Sequence, residues 1–372
     1  MAPETLRVLF SHDVFMAQHH GGASRLFAEL HRTLTAQGVT SRVSGGWHRN
    51  VYLQGQPNVT GLRLPGGNAS PAVRRAARLC NDPLEWAMAK LWRPSVYHLT
   101  YFPRRRYPVK VPIAVTVLDM IHELHPEQFP AHDRTSQRKR HWTNAADLVF
   151  AISERTKRDV VELFSIPAEK VAVVYPGVSS LAPDPSVDLR PYGDYLLYVG
   201  ERSMPYKNFE SLLVAVARSE VARKLDLVCF GGPPASDRER AGLAALGLDQ
   251  IHFVRGPDAH LAAFYAGARA LVYPSKYEGF GFPPVEAMAA GCPVACSTGG
   301  SVPEVVGDAG LLFDPDDVDQ IAAVLDRIVA DEDLRARLTA AGRRRAQSFT
   351  WERAGRETVD AYRRICVGST AT

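Results

Sequence analysis

Short apolar runs alternate with longer stretches of helical periodicity, and the alternation occurs twice. Leu6–Phe10 reads as a strand; after a loop holding Gly21 and Gly22, Ala23–Gln37 places Leu26, Phe27, Leu30 and Leu34 at helical spacing. Val111–Leu118, Leu148–Ile152 and Val171–Tyr175 are further strand candidates, and Ser153 is a suitable N-cap for a helix over Glu154–Phe164. The pattern then stops at Pro176–Asp194, a run with four prolines and several turn residues. It restarts at Tyr195–Val199 and runs through Leu225–Phe230, Ile251–Val254, Ala270–Tyr273, Pro293–Ser297 and Leu311–Phe313, with helical stretches between them. Strands separated by helices imply parallel sheets with helices on their faces.

The expected architecture is therefore α/β, with two Rossmann-like parallel-sheet domains facing a cleft. The first domain is placed at 1–180 and the second at 195–350, with Pro176–Asp194 as linker and a closing helical segment at 351–372. Open sheets of this kind bind ligands at the carboxyl ends of their strands.

Composition narrows the class. At 372 residues with 46% hydrophobic and 23% charged residues, the chain has material for two buried cores. A net charge of +4 is too mild for a protein devoted to nucleic acid. Five cysteines form no disulfide framework and fit a reducing compartment. No run of eighteen apolar residues occurs, and the amino-terminal stretch lacks the features of a secretory signal, so a cytoplasmic enzyme is expected.

Two segments carry chemistry. In Ser275–Val294, Gly279 and Gly281 bracket Phe280, which lets the backbone turn sharply and approach a ligand. Pro283 and Pro284 suit the first turn of a helix, whose free N–H groups attract anions. Glu278 and Glu286 flank that point and could accept hydrogen bonds from sugar hydroxyls. In Gly200–Asn208, Arg202 and Lys207 follow the opening strand of the second half, where a guanidinium and an ammonium can neutralise phosphate oxygens. A diphosphate beside a hydroxyl-bearing sugar is a nucleotide sugar.

With these residues in view, the chain resembles the retaining glycosyltransferases of family 4, which have the GT-B fold. The likeness rests on Glu278 and Glu286 as an E-x7-E element, on the basic pair Arg202 and Lys207, and on the continuous run YPSKYEGFGFPPVEAMAAGCPVACSTGGSVPEVVGDAGLLFDPDD. Gly21-Gly22, DMIHELHPE at Asp119–Glu127 and ISERTKRDV at Ile152–Val160 extend it into the first half.

The resemblance implies that Arg202 and Lys207 hold the diphosphate, helped by backbone amides of Phe280–Phe282 and by the close approach of Gly21 and Gly22. It implies that Glu278 lies by the donor sugar and Glu286 by the ribose, with Val302–Glu304 near the nucleotide. Asp119 would lie at the reacting centre, and His122 and Glu123 would meet the acceptor. Many members carry His-Asp where this chain has Leu118-Asp119, so one familiar histidine is missing. The reaction implied is transfer with retained configuration, the diphosphate itself taking the acceptor proton, with no metal or other cofactor. The closing helix would cross back to the first domain.

The wording of YKN and DMIHE is most similar to bacterial polysaccharide mannosyltransferases, which points to GDP-mannose as donor and a glycan or lipid-linked glycan as acceptor. A glycosyltransferase acting on a small natural product, a sugar-nucleotide epimerase and a noncatalytic nucleotide-sugar binder remain as alternatives. Basic clusters at Arg74-Arg75-Arg78, Arg104-Arg105-Arg106 with Lys110, and Arg138-Lys139-Arg140 are either solvated faces or a contact with an anionic membrane surface. No nucleic-acid motif accompanies them.

Overall fold

A computed structural model describes residues 6–64, 71–104, 110–179 and 182–368. Arg105 and Arg106, and the side chains of Arg74, Arg75 and Arg78, lie outside the described residues. The chain divides into two compact units. One comprises Met1–Leu124, Phe129–Gly177 and Trp351–Thr372; the other comprises His125–Gln128 and Val178–Thr350.

The first unit runs β1 (Arg7–Phe10), α1 (Asp13–Ala17), α2 (Gly22–Ala36), β2 (Thr40–His48), β3 (Val59–Arg63), α3 (Pro71–Trp92), β4 (Val96–Leu99), β5 (Ile113–Val117), α4 (Ile121–Leu124), α5 (Thr135–Ala145), β6 (Leu148–Ala151), α6 (Glu154–Phe164) and β7 (Val171–Val173). Its strands pair in parallel in the order β3-β2-β1-β4-β5-β6-β7. Ser153 caps α6 by accepting from the backbone N–H of Thr156 at 3.0 Å.

The second unit runs β8 (Tyr195–Val199), α7 (Phe209–Arg218), β9 (Asp226–Phe230), α8 (Asp237–Ala245), β10 (Ile251–Val254), α9 (Asp258–Gly267), β11 (Ala270–Tyr273), α10 (Phe282–Ala290), β12 (Val294–Ser297), α11 (Val302–Val306), β13 (Gly310–Phe313), α12 (Val318–Ala330) and α13 (Glu332–Ala346). Its parallel order is β10-β9-β8-β11-β12-β13. Every residue of β8, β11 and β12 is buried, as uninterrupted apolar runs require when helices cover both faces. Leu212, Leu227, Val272, Ile321 and Leu325 belong to the core that α7 and α12 close over this sheet.

The last helix, α14 (Trp351–Gly368), returns to the first unit and packs on α2 and β6. There the Tyr362 hydroxyl hydrogen-bonds with Nδ1 of His98, and Nε2 of His98 bonds with Thr116 Oγ1 at 2.8 Å. Burial pushes the His98 pKa down to about 3, so this contact is made by a neutral imidazole.

Strand order reverses between β1 and β4 in one sheet and between β8 and β11 in the other. In open α/β sheets the loops that follow such a reversal diverge, and the crevice between them at the strand ends is where ligands bind. Among the described residues no helix is long and apolar enough to cross a membrane.

Candidate active site

The reversal in the second sheet gathers the residues that carry charge. The loop after β8 holds Arg202 and Lys207, and the loop after β11 holds Glu278. They meet directly: Nζ of Lys207 lies 2.6 Å from Oε1 of Glu278, with both side chains largely shielded. Backbone contacts hold the pair. The N–H of Lys276 donates to Tyr206 O at 2.7 Å, joining the two loops. Asn208 takes a left-handed conformation (φ 57°), and its side chain donates to Pro315 O at 2.7 Å. Burial, and then the Glu278 carboxylate, pushes the Tyr273 phenol well above its ordinary pKa, so it faces Glu278 as a neutral donor.

The turn into α10 follows. Gly281, at φ 87°, makes the left-handed step that a side chain would resist, and α10 begins at Phe282 with prolines in its first turn. The Phe280 ring is buried against Phe282 and Phe349, so only its backbone is available to a ligand. Glu286 lies one turn into the helix, and its Oε2 accepts from the Tyr265 hydroxyl at 3.0 Å.

Arg202 is placed differently. Its side chain is 1% exposed, and the guanidinium donates to Gly231 O at 2.9 Å, to Pro233 O and to Glu239 Oε1 at 3.2 Å, with Phe253 beneath it at 4.3 Å. A Cβ on Gly232 (φ 67°) would stand 3.0 Å from its Nη1. Arg202 thus ties the loop after β8 to the loop after β9.

In the first unit, Asp119 ends the β5 loop. Its Oδ1 accepts from Ile121 N at 3.1 Å, which starts α4. Lys139 on α5 is 2% exposed; its Nζ donates to Asp119 O at 2.8 Å and to Glu123 Oε2 at 2.7 Å. That corrects the reading of Lys139 as part of a surface basic cluster: two carboxylates draw it inward. His122 stacks on Phe129 at 3.8 Å, and its Nε2 lies 3.8 Å from Asp133. Burial, then Lys139, lowers the His122 pKa. Gly21 precedes Gly22, the first residue of α2, and a Cβ on it would stand 2.7 Å from Gln18 Oε1, which caps α2 through Ser24 N at 3.0 Å.

Two family models match. One, described as Glycosyl transferases group 1, covers residues 187–345; the other, Glycosyltransferase Family 4, covers residues 20–180. The chain is 32% identical over 313 residues to O-antigen chain mannosyltransferase B of Escherichia coli, a match spanning 79% of this chain and 80% of that protein. The chain belongs to glycosyltransferase family 4.

Another relative of this family 4 glycosyltransferase is the MMP α-(1→4)-mannosyltransferase of Mycolicibacterium hassiacum, 34% identical over 58% of this chain and 53% of that one. Among solved structures, a sucrose-phosphate synthase from Thermosynechococcus elongatus superposes with a TM-score of 0.78 at 20% identity, over 97% of this chain and 100% of that one. The Anabaena protein HepE, solved with UDP and glucose, gives a TM-score of 0.76 at 18% identity over 96% and 100%. These likenesses establish the GT-B fold, with two Rossmann-like parallel-sheet domains.

Sequence reasoning missed several residues of the glycosyltransferase. Gly299 and Gly300 let the loop after β12 press on the Glu278 loop: a Cβ on Gly300 would stand 2.4 Å from Glu278 N and O. Ser301 then donates to Glu278 O at 3.0 Å through both N and Oγ. In the first unit, His12 follows β1 and donates to Glu85 Oε2 from its backbone N–H at 2.7 Å, with its Nδ1 at 2.6 Å. Burial alone would lower the His12 pKa, but Glu85, with Asp13 and Asp82, outweighs it and lifts it to about 9. Paired glycines beside a serine could have signalled the first set; nothing local links His12 to Glu85, seventy-three residues away.

Proposed function

We propose that this glycosyltransferase moves mannose from GDP-mannose, with retention of configuration, onto a glycan or lipid-linked glycan in polysaccharide biosynthesis. The observation that carries the reading is the Lys207–Glu278 pair at the strand reversal of the second sheet, a cation and a hydrogen-bond acceptor fixed side by side. The long match to an O-antigen chain mannosyltransferase supports the choice of sugar and product.

In this reading Lys207 neutralises the departing diphosphate, and the N–H groups at the start of α10 add to it. Glu278 accepts from donor-sugar hydroxyls and Glu286 from the ribose. Arg202 contributes by holding the loop that presents Lys207. Asp119, His122 and Glu123 face the acceptor, and the phosphate oxygen leaving the sugar takes the acceptor's proton. Since Lys207 and the helix start supply the positive charge, no metal ion takes part, and a chelator leaves the rate unchanged.

The test is a panel of nucleotide sugars, first by thermal shift and then by transfer to glycan acceptors. A bound donor at a hundredfold over its Kd stabilises by about 2.7 kcal/mol. GDP-mannose should stabilise the chain and yield a mannosylated product of unchanged anomeric configuration. Turnover of donor to an isomeric nucleotide sugar without acceptor would assign an epimerase instead, and binding without turnover a nucleotide-sugar receptor.

A further inference from the structure

The first unit carries a groove that no step above uses. Pro103, Arg104, Pro130, His132, Asp133, Arg134, Gln137, Arg138, His141 and Trp142 line it, and it encloses about 820 Å³, within the size range of small-molecule sites. The lining is strongly basic: three arginines and two histidines against one carboxylate. That carboxylate is already engaged, with Asp133 Oδ1 accepting from Thr135 N at 2.6 Å and Oδ2 lying 3.8 Å from His122 Nε2.

The walls are fixed. Trp142 is buried and its Nε1 donates to Pro103 O at 2.8 Å, pinning α5 to the loop after β4. Arg138 is oriented by bonds from its Nε to Arg134 O at 3.2 Å and from its Nη2 to Thr135 Oγ1 at 3.3 Å. Arg104 and Arg134 are exposed and have no carboxylate partner among the described residues. α5, whose amino-terminal end carries partial positive charge, begins just after Arg134, itself a lining residue of the groove. Planar donor forks around a rigid basic groove match phosphate oxygens.

We propose that this groove binds a phosphate or diphosphate group of the acceptor substrate. Its place in the unit supports the assignment. Asp133 on its rim faces His122, and α5, which forms one wall, grips Asp119 and Glu123 through Lys139. The groove therefore adjoins the loop read above as the acceptor loop. Naming the ligand as an acceptor phosphate rests on the glycosyl-transfer reading; anion binding by the groove does not.

The experiment titrates inorganic pyrophosphate into the full chain saturated with GDP, and repeats it on R104A/R134A, both surface positions. The difference between the two isolates the groove whatever fills the donor side. Affinity should fall about tenfold or more in the variant, as expected for losing charge-assisted hydrogen bonds, and should weaken with salt. Equal pyrophosphate affinity in the two chains, or no binding to the native one, overturns the proposal.

A second arm separates the sources of the phosphate. Phosphatidylglycerol vesicles that sediment the native chain but not the variant, and release it on adding pyrophosphate, assign a lipid-borne group. Pyrophosphate binding without sedimentation assigns a soluble phosphorylated acceptor. If every transfer assay fails while the pyrophosphate difference persists, the glycosyl-transfer reading falls and the anion groove stands.

Discussion

The ammonium of Lys207 and the carboxylate of Glu278 stand 2.6 Å apart, although seventy-one residues separate them in the chain. Each fixes the other's position, and under the proposed function the cation would incur little reorganisation when charge develops on the leaving phosphate. Lys207→Ala should lower kcat/KM by about 10²–10³-fold, the scale found when one charge-stabilising donor is removed. Initial-rate kinetics on the transfer reaction check this, and a value within a few-fold of the native chain would remove Lys207 from the mechanism.

Tyr265 reaches Glu286 from α9 with a 3.0 Å hydrogen bond. Tyr265→Phe deletes that donor and leaves the ring in place. The expected cost is about 1 kcal/mol in denaturant unfolding, together with a raised KM for donor and an unchanged KM for acceptor. An equal rise in both constants would separate Glu286 from the nucleotide.

The Lys139 latch makes a prediction with its own control. Lys139→Met strands the buried Glu123 charge and should cost about 3–5 kcal/mol, the range for removing one partner of a buried pair. Adding Glu123→Gln should restore part of that loss, because the uncompensated charge is gone. Urea melts of the two single variants and the double variant measure the coupling. Strict additivity would mean that the two side chains do not act as a pair.

His12 gives a pH dependence of defined sign. Its pKa is held at about 9 against an ordinary 6.5, so over that interval the folded chain keeps a proton that the unfolded chain gives up. The stability this confers is complete below pH 6.5 and fades as pH rises through 9. Melting temperatures across the window should fall with rising pH in the native chain and fall less steeply in Glu85→Gln. Parallel slopes would show that the titration lies elsewhere.

Legibility in the sequence followed the strength of local periodicity. The residue ranges of β8, β10, β11 and α6 are those the sequence predicts, because each is an apolar run or an amphipathic stripe bounded by a cap or turn. The elements β2, β3, β4 and α3 escaped. β2 contains Gly45 and Gly46, β4 buries His98, and α3 has Pro83 within it and turns Asn81 and Glu85 inward. A helix whose buried face is polar shows no hydrophobic stripe to find. The site divided in the same way. Lys207 and Glu278 stand at strand ends, where the alternation itself draws attention. The reading of Arg202 as a phosphate ligand rests on its position and on the family resemblance, whereas its tie to Gly231 and Pro233 is visible only in the packing. Lys139 was hidden by its charge, since a lysine between two arginines reads as surface until its partners are seen.

Because α14 belongs to the first unit yet follows the whole of the second in chain order, the first unit cannot be finished until the second has been translated. Until then the face of α2 that receives it, and the His98 ring that meets Tyr362, stay uncovered. The second unit, encoded between, can reach its mature packing sooner. Nascent chains cut just before Trp351 should therefore protect β8–β13 from protease while the earlier sheet remains vulnerable.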